Sequence, residues 1–284
     1  MTHRSVSLLQ FDSPWFFDPG TVRLPSPPEG LSSEEIVRRL MRGELAQPYI
    51  METASERRLH FSHDAVQSVM RLDEPDALVS AYTRKMMAFL LFNPIPKKIV
   101  MVGLGGGSLA KFCYRNLPRT RISVVEIDER VIALRDEFHI PPDDHRFRVV
   151  CDDGARYISH SSERIDVVVV DAFDPVGLAP TLADADFYDH AIRRLSPNGM
   201  LVMNFSGEVA RYALHLRRIR EVIDGSAFLV PVIEDDNLLL FAFKKRLHWH
   251  ATAKYESRAQ RLQARFDLEF PHYWRRICQG YALN

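Results

Sequence analysis

After Pro96 the chain alternates between two hydrophobic rhythms. The runs "KIVMVG", "RISVVEI", "FRVVC", "IDVVVVDAF" and "GMLVMNF" are nearly continuous in apolar and β-branched residues, the pattern of strands buried on both faces. Between them, residues 108–117, 128–138 and 184–195 read as helices, with Asp128 placed as an N-cap. This alternation predicts a parallel, doubly wound sheet. One stretch departs from it. "AFLVPVIEDDNLLLFAFKK" holds two apolar runs around Asp235-Asp236-Asn237 and predicts an antiparallel hairpin on the sheet edge.

The first third has another texture. Residues 1–31 are rich in Pro and Gly, show no period and read as an arm or irregular cap. "SSEEIVRRLMRGEL" opens with Ser32 and Glu35 in capping-box spacing and predicts a short helix. Runs such as "PYIMET" and "RRLHFSHDAVQSV" predict short strands of a hairpin or small sheet, and "DALVSAYTRKMMAFLLF" a helix that stops at Asn93-Pro94. The expected division is an arm and helix over 1–47 and a small β-domain with a connecting helix over 48–95. A Rossmann-like catalytic domain follows over 96–245, then a helical tail over 246–284.

Charge narrows the partners. Lys plus Arg and Asp plus Glu both number 37, so no global field favours nucleic acid or an anionic membrane. Residues 244–276 carry nine Lys/Arg against three Asp/Glu, which reads as a solvated amphipathic helix. Cys113, Cys151 and Cys278 form no CxxC pair, which argues for a reducing compartment and against a disulfide framework or zinc site. Cys151 reads as a small buried apolar residue. His248 and His250 flank Trp249 without further ligands, and no metal is expected. The opening residues lack a signal peptide's apolar core and no apolar run reaches 18 residues. A soluble cytoplasmic protein is the expectation.

The chemistry starts at "KKIVMVGLGGGSLAKF". A strand, the turn Gly103-Leu104-Gly105-Gly106-Gly107 and a helix bring backbone N–H groups and a positive helix end to a ligand. The next strand ends in Glu126, where an acidic side chain can bind ribose hydroxyls. That fits NAD and an adenosyl sulfonium equally. The third strand leads into "CDDGARYI", where Asp153 beside Gly154 can accept the adenine amine or cap the next helix. The last position of a G-x-G-x-x-G pyrophosphate cradle is Ser108 here, which favours an S-adenosyl nucleoside. The fourth strand gives "VVVVDAFDPVG", placing Asp171 and Asp174 at the carboxyl end of the sheet, where two carboxylates can hold a cationic amine. An amine nucleophile is mostly protonated at neutral pH and needs a base. Asp174-Pro175 also suits a turn.

Taken together, the glycine loop, "VVEID", "DG", "DAFDPVG" and "LSPNGMLVMN" resemble, in order and spacing, the spermidine synthase (polyamine aminopropyltransferase) family. The resemblance covers roughly residues 48–245. It implies an α/β fold: a Rossmann-like sheet of the class I S-adenosylmethionine-dependent transferase type with a small N-terminal β-domain, commonly as a homodimer. It also implies that Gln67 and Glu126 help bind the nucleoside, that Gly103, Gly105, Gly106 and Gly154 shape its site, and that Asp153 reads adenine. Asp171 is then the base, and Tyr82 and Asp174 face a small-molecule amine acceptor. Two residues depart from the family pattern. An aspartate usual in the loop, which pairs with the amine of decarboxylated S-adenosylmethionine, is Gly106 here, and Tyr82-Thr83-Arg84 stands for the usual Tyr-His-Glu. Both leave S-adenosylmethionine itself, and methyl transfer on the same fold, as alternatives. A non-catalytic nucleoside-binding protein is a third reading, and an NAD oxidoreductase a distant fourth.

Overall fold

The structure is a computed structural model. It describes residues 8–45, 47–63, 65–160, 162–174, 177–178, 180–206, 212–247 and 252–282, the side chains of 65, 173–174, 177–178, 180 and 281–282 excepted. His248, Trp249 and His250 thus lie outside the described residues. The strands are β1 (Leu8–Asp12), β2 (Thr21–Pro25), β3 (Tyr49–Glu52), β4 (Glu56–Ser62), β5 (Ala65–Arg71), β6 (Lys98–Val102), β7 (Arg121–Glu126), β8 (Phe147–Cys151), β9 (Ile165–Val170), β10 (Phe173–Asp174), β11 (Gly177–Leu178), β12 (Leu195–Ser206), β13 (Ala227–Val232), β14 (Asn237–Phe243) and β15 (Tyr281–Ala282). The α-helices are α1 (Ser33–Met41), α2 (Ala81–Met86), α3 (Phe89–Phe92), α4 (Ser108–Asn116), α5 (Glu129–Ala133), α6 (Gly154–His160), α7 (Ala185–Arg194), α8 (Ala213–Val222), α9 (Thr252–Phe266) and α10 (Phe270–Gln279). Two compact units result. One is Met1–Val79 with Gly105–Phe112 and Asp128–Pro141; the other is Ser80–Leu104, Cys113–Ile127 and Pro142–Asn284.

The first unit is an antiparallel meander, β1 to β5 in sequential order. Residues 8–25 were expected to be irregular and instead supply two of its strands. In β2, Val22 and Leu24 are fully buried between the more exposed Thr21 and Arg23, so a two-residue period was present but short and set among turn formers. Half of the capping box of α1 forms: Ser32 Oγ accepts the Glu35 N–H at 3.2 Å, the Glu35 carboxylate pairs with Arg38 and Arg39, and Ile36 and Leu40 turn inward. Trp15 is buried and stacks on His63 at 4.1 Å, whereas Phe16 and Phe17 are exposed. Leu59 pairs with Ser68 but His60 with Val66. Gln67 is the extra residue of a β-bulge in β5, a device that re-aims a side chain.

The second unit carries one eight-stranded sheet in the order β8-β7-β6-β9-β12-β14-β13-β15. β8 through β12 are parallel and the last three strands antiparallel. Ile99–Val102, Val167–Val170 and Met200–Met203 are all nearly inaccessible, which is why these runs are apolar without alternation. From β6 the chain lays β7 and β8 to one side, then returns to place β9 and β12 on the other. The crevice at such a reversal, at the carboxyl ends of the strands, is where open α/β sheets bind ligands.

Four expectations need correction. The β13–β14 hairpin forms, with Asp236 left-handed at φ 53°, but β15 pairs outside β13, so the hairpin is not the edge. The tail is two helices, each burying a face: Ala259, Leu262 and Phe266 in α9, and Phe270, Tyr273, Trp274 and Ile277 in α10. Several of its basic groups cap helix ends, Arg258 donating to Leu91 O and Arg265 to Asn116 O. The helices foreseen over 128–138 and from Asp76 to Phe92 are shorter; the first is regular only in α5 and the second divides into α2 and α3. Cys151, read as buried, is exposed at the last position of the edge strand β8.

Candidate active site

β6 and β9 run in register from Ile99↔Val167 to Val102↔Val170, so Gly103 and Asp171 leave the sheet side by side. The Asp171 N–H donates to Val102 O at 2.9 Å, and a Cβ built on Gly103 would lie 2.1 Å from Asp171 O. With φ at +95°, only glycine fits this position. On the other side of β6, β7 ends in Glu126, whose carboxylate accepts the Leu104 N–H at 2.9 Å. The glycine turn thereby pins one oxygen of a strand-end carboxylate. Asp153 Oδ1 accepts the Arg156 N–H at 2.8 Å and caps α6, leaving its second oxygen without a protein partner among the described residues. A Cβ on Gly154 would meet Val102 Cγ1 at 2.3 Å, so this glycine lets α6 start against the end of β6.

Asp171 is half-buried and takes one donor on each oxygen. Tyr82 Oη donates to Oδ2 at 3.2 Å and Asn204 Nδ2 to Oδ1 at 3.0 Å. Burial pushes the carboxyl above its usual range, and the two donors partly restore the ionised form. Burial, then the Asp171 charge, holds the Tyr82 phenol well above 10, so it serves as a neutral donor. A half-buried carboxylate of raised basicity, at the carboxyl end of the sheet where the strand order reverses and with one donor on each oxygen, is suited to take a proton from a bound acid.

Tyr82 sits on α2, which is tied to the β13–β14 turn twice. Asp235 Oδ2 accepts the Tyr82 N–H at 2.7 Å, and Glu234 pairs with the buried Lys85 at 2.6 Å. Sequence reasoning put a cation, Arg84, in this neighbourhood. Its charge bears on Tyr273 of α10, and among the described residues no charged neighbour contributes to the shift at Asp171. The acidic groups beside α2 come from a turn 150 residues away, which local motif reading does not reveal. The backbone of Asp174 pairs with Gly177 in the small β10–β11 ladder; its side chain, and Pro175 of the foreseen turn, lie outside the described residues.

The other candidates belong to the first unit. Gln67 occupies the β5 bulge, half-buried. Its neighbour Ser68 holds Oγ 3.5 Å from Ser108 Oγ at the start of α4. Ser68 also sets the space above the loop: a Cβ on Gly106 would lie 2.6 Å from Ser68 Oγ and 3.0 Å from Phe138 Cδ1. A side chain at 106 would therefore require Ser68 and Phe138 to give way.

Two residues bearing on Asp171 escaped the sequence reading, Asn204 and Asn237. Both were visible as amides within short apolar runs, "LVMNF" and "NLLLF". Among the described residues no group of three or more His, Cys, Asp or Glu is placed to hold a metal. Among the described residues no helix is long and apolar enough to cross a membrane.

The sequence model of the spermine/spermidine synthase domain matches residues 55–226. A polyamine aminopropyltransferase of Chromobacterium violaceum is 36% identical over 234 residues, covering 81% of this chain and 88% of that protein. The crystal structure of a probable spermidine synthase from Corynebacterium glutamicum matches with a TM-score of 0.62 at 19% identity, over 76% of this chain and 84% of that one. Human methyltransferase-like protein 13, in complex with SAH, matches with a TM-score of 0.57 at 23% identity, over 66% and 93%. At those identities the two structures speak to the fold, a Rossmann-like α/β sheet. The domain match over most of the chain and the near full-length relative establish more than that: the chain belongs to the spermine/spermidine synthase family.

Proposed function

We propose that the protein transfers an aminopropyl group from an S-adenosyl sulfonium nucleoside to a small-molecule amine such as a polyamine, with Asp171 as base. The observation that carries this reading is the position of Asp171 in the crevice between β6 and β9, with each oxygen already holding one donor. In the reaction the acceptor nitrogen bonds to the carbon beside the sulfonium sulfur. The C–S bond breaks toward sulfur, and neutral methylthioadenosine leaves. The acceptor must shed one proton, because alkylamines have pKa values near 10 and arrive charged. Asp171 takes that proton, and its raised pKa makes it a stronger base than a surface aspartate. Glu126, pinned at the turn by Leu104, supports binding of the ribose hydroxyls. The open oxygen of Asp153 suits the adenine amine, and the start of the glycine turn, Gly103-Leu104, lies beside Glu126. Tyr82 holds Asp171, and Asp174 is assigned to the acceptor side.

The turn from Gly103 to Gly107 has no charged side chain, so it does not repel the carboxylate of S-adenosylmethionine. The same observation favours methyl transfer as a second reading. Mass spectrometry of turnover mixtures with each donor and with putrescine or spermidine separates the two. Methylthioadenosine with an aminopropylated amine supports the proposal. S-adenosylhomocysteine as the sole nucleoside product assigns the protein to methyl transfer, and no product with any pair rejects both.

A further inference from the structure

Three neighbouring strands each end in one polar residue at the same edge of the sheet. Asp171 follows β9; Asn204 lies near the end of β12, one position past the Met203↔Val170 pair. Asn237 opens β14, which runs antiparallel, so its first residue comes to the carboxyl ends of the others. It pairs with Ser206 while Asn204 pairs with Leu239, putting the two amides diagonally on one face. Both are nearly inaccessible, Asn204 at 2% and Asn237 at 9%, beside the apolar runs Met200–Met203 and Leu238–Phe243. A buried amide is costly unless bonded, and these two bond in series. Asn237 Nδ2 donates to Asn204 Oδ1 at 2.8 Å, and Asn204 Nδ2 donates to Asp171 Oδ1 at 3.0 Å.

We propose that Asn204 and Asn237 form a polarity-locked relay that orients Asp171 and keeps it ionised for proton transfer, with Asn237 as the positioning residue that fixes the direction of the Asn204 amide. The inference rests on the reading of Asp171 as the base. An ionised carboxylate only accepts, so Asn204 must show it the NH₂ end, which turns its carbonyl toward Asn237. Asn237 supplies the donor that this orientation requires. Each Asp171 oxygen then has one site filled, by Asn204 or by Tyr82, and in this proposal the remaining sites serve the acceptor. The other charged groups near α2, Asp235 and the Lys85–Glu234 pair, meet the backbone of Tyr82 and the Lys85 ammonium. They do not bond Asp171.

The test is the pH profile of kcat/KM for the acceptor in wild type, Asn237→Leu, Asn237→Ser and Asn237→Asp, with thermal unfolding run in parallel. Leu removes the donor at similar size. Ser is too short to reach Asn204 and disturbs packing least, so it keeps the test open if Leu does not fold. Asp offers only acceptors, drawing the Asn204 NH₂ away and turning its carbonyl toward Asp171. The expected result is an acidic limb moved up by about one pH unit in Leu and Ser, and further in Asp, with KM for the sulfonium donor unchanged. One unit corresponds to a tenfold loss on the acidic side. Limbs coincident with wild type in all folded variants, whatever their melting temperatures, would overturn the relay and leave the amides a purely structural role. Asp171→Asn is assayed beside them: if it keeps full turnover, the base assignment itself has failed, a different outcome from a failed relay.

Discussion

Gly103 offers the sharpest structural prediction, because a single methyl group there acts on the base through the backbone. A Cβ on Gly103 lies 2.1 Å from Asp171 O, and ordinary contact begins near 3.4 Å. Gly103→Ala must therefore separate the turn from the end of β9 by about 1.3 Å (3.4 less 2.1). A misplacement of about 1 Å in a catalytic group can cost about 10²-fold in rate. Alanine at φ +95° adds backbone strain of about 1–3 kcal/mol, and overpacking about 1–3 more. The melting temperature should fall by roughly 10 °C, at about 2–4 °C per kcal/mol for a chain of this size. Gly43→Ala serves as the control. It also has positive φ, +68°, but meets nothing within 4 Å, so it should lose about 1 kcal/mol and no activity. The assay is kcat at saturating donor and acceptor, together with thermal unfolding. A Gly103→Ala enzyme with wild-type kcat refutes the claim that packing between the turn and β9 sets the position of Asp171.

Three further outcomes follow from the site and the first unit. Methylthioadenosine at 100-fold above its Kd should stabilise the wild type by about 2.7 kcal/mol, read by calorimetry, and Glu126→Ala should abolish the shift; equal responses reject Glu126 as a ribose ligand. S-adenosylmethionine should bind within about tenfold of its decarboxylated form, a gap of roughly 1.4 kcal/mol. Gly106→Asp is paired with Ser68→Gly, which removes the Oγ that a Cβ at 106 would meet at 2.6 Å and leaves Phe138 Cδ1 at 3.0 Å; that double variant should weaken the carboxylated donor selectively in titration calorimetry, and a thousandfold wild-type preference for the decarboxylated donor contradicts the account. Burial holds the buried His60 imidazole below its usual 6.5, a bond to Ser62 O opposing and the Arg58 charge adding to the shift. The unfolded chain is then protonated first as pH falls, so this contribution to stability is present above pH 6.5 and lost below it. His60→Phe keeps the ring stacked on Tyr49 and should flatten the fall in melting temperature between pH 7 and 5; an unchanged slope excludes His60 as its source.

The parallel strands were legible because burial on both faces writes itself as unbroken apolar runs, and their ends could be found from the first polar residue after each run. Gly103, Glu126, Asp153 and Asp171 all stand at such ends, which is why the sequence located them. β1 and β2 were not legible: each is five residues long and the segment around them is dense in Pro and Gly. The bonding around Asp171 was hidden for a different reason. Asn237 reaches it only because β14 runs antiparallel to β12, and Asp235 reaches Tyr82 only because the β13–β14 turn lies against α2. Both are long-range consequences of sheet order, which no local pattern encodes. Gly106 was read correctly as uncharged, but the side chains that close the space above it, Ser68 and Phe138, are likewise distant in sequence.

The central claim is that Asp171 takes the acceptor's proton, and Asp171→Asn tests it most directly. The substitution preserves size and removes basicity. Single-turnover and steady-state rates with putrescine or spermidine, followed by mass spectrometry of methylthioadenosine, should fall about 10²–10⁴-fold, the usual share of a general base. Nucleoside binding should survive, measured by the methylthioadenosine shift in melting temperature. A variant that binds nucleoside and turns over at the wild-type rate contradicts the account.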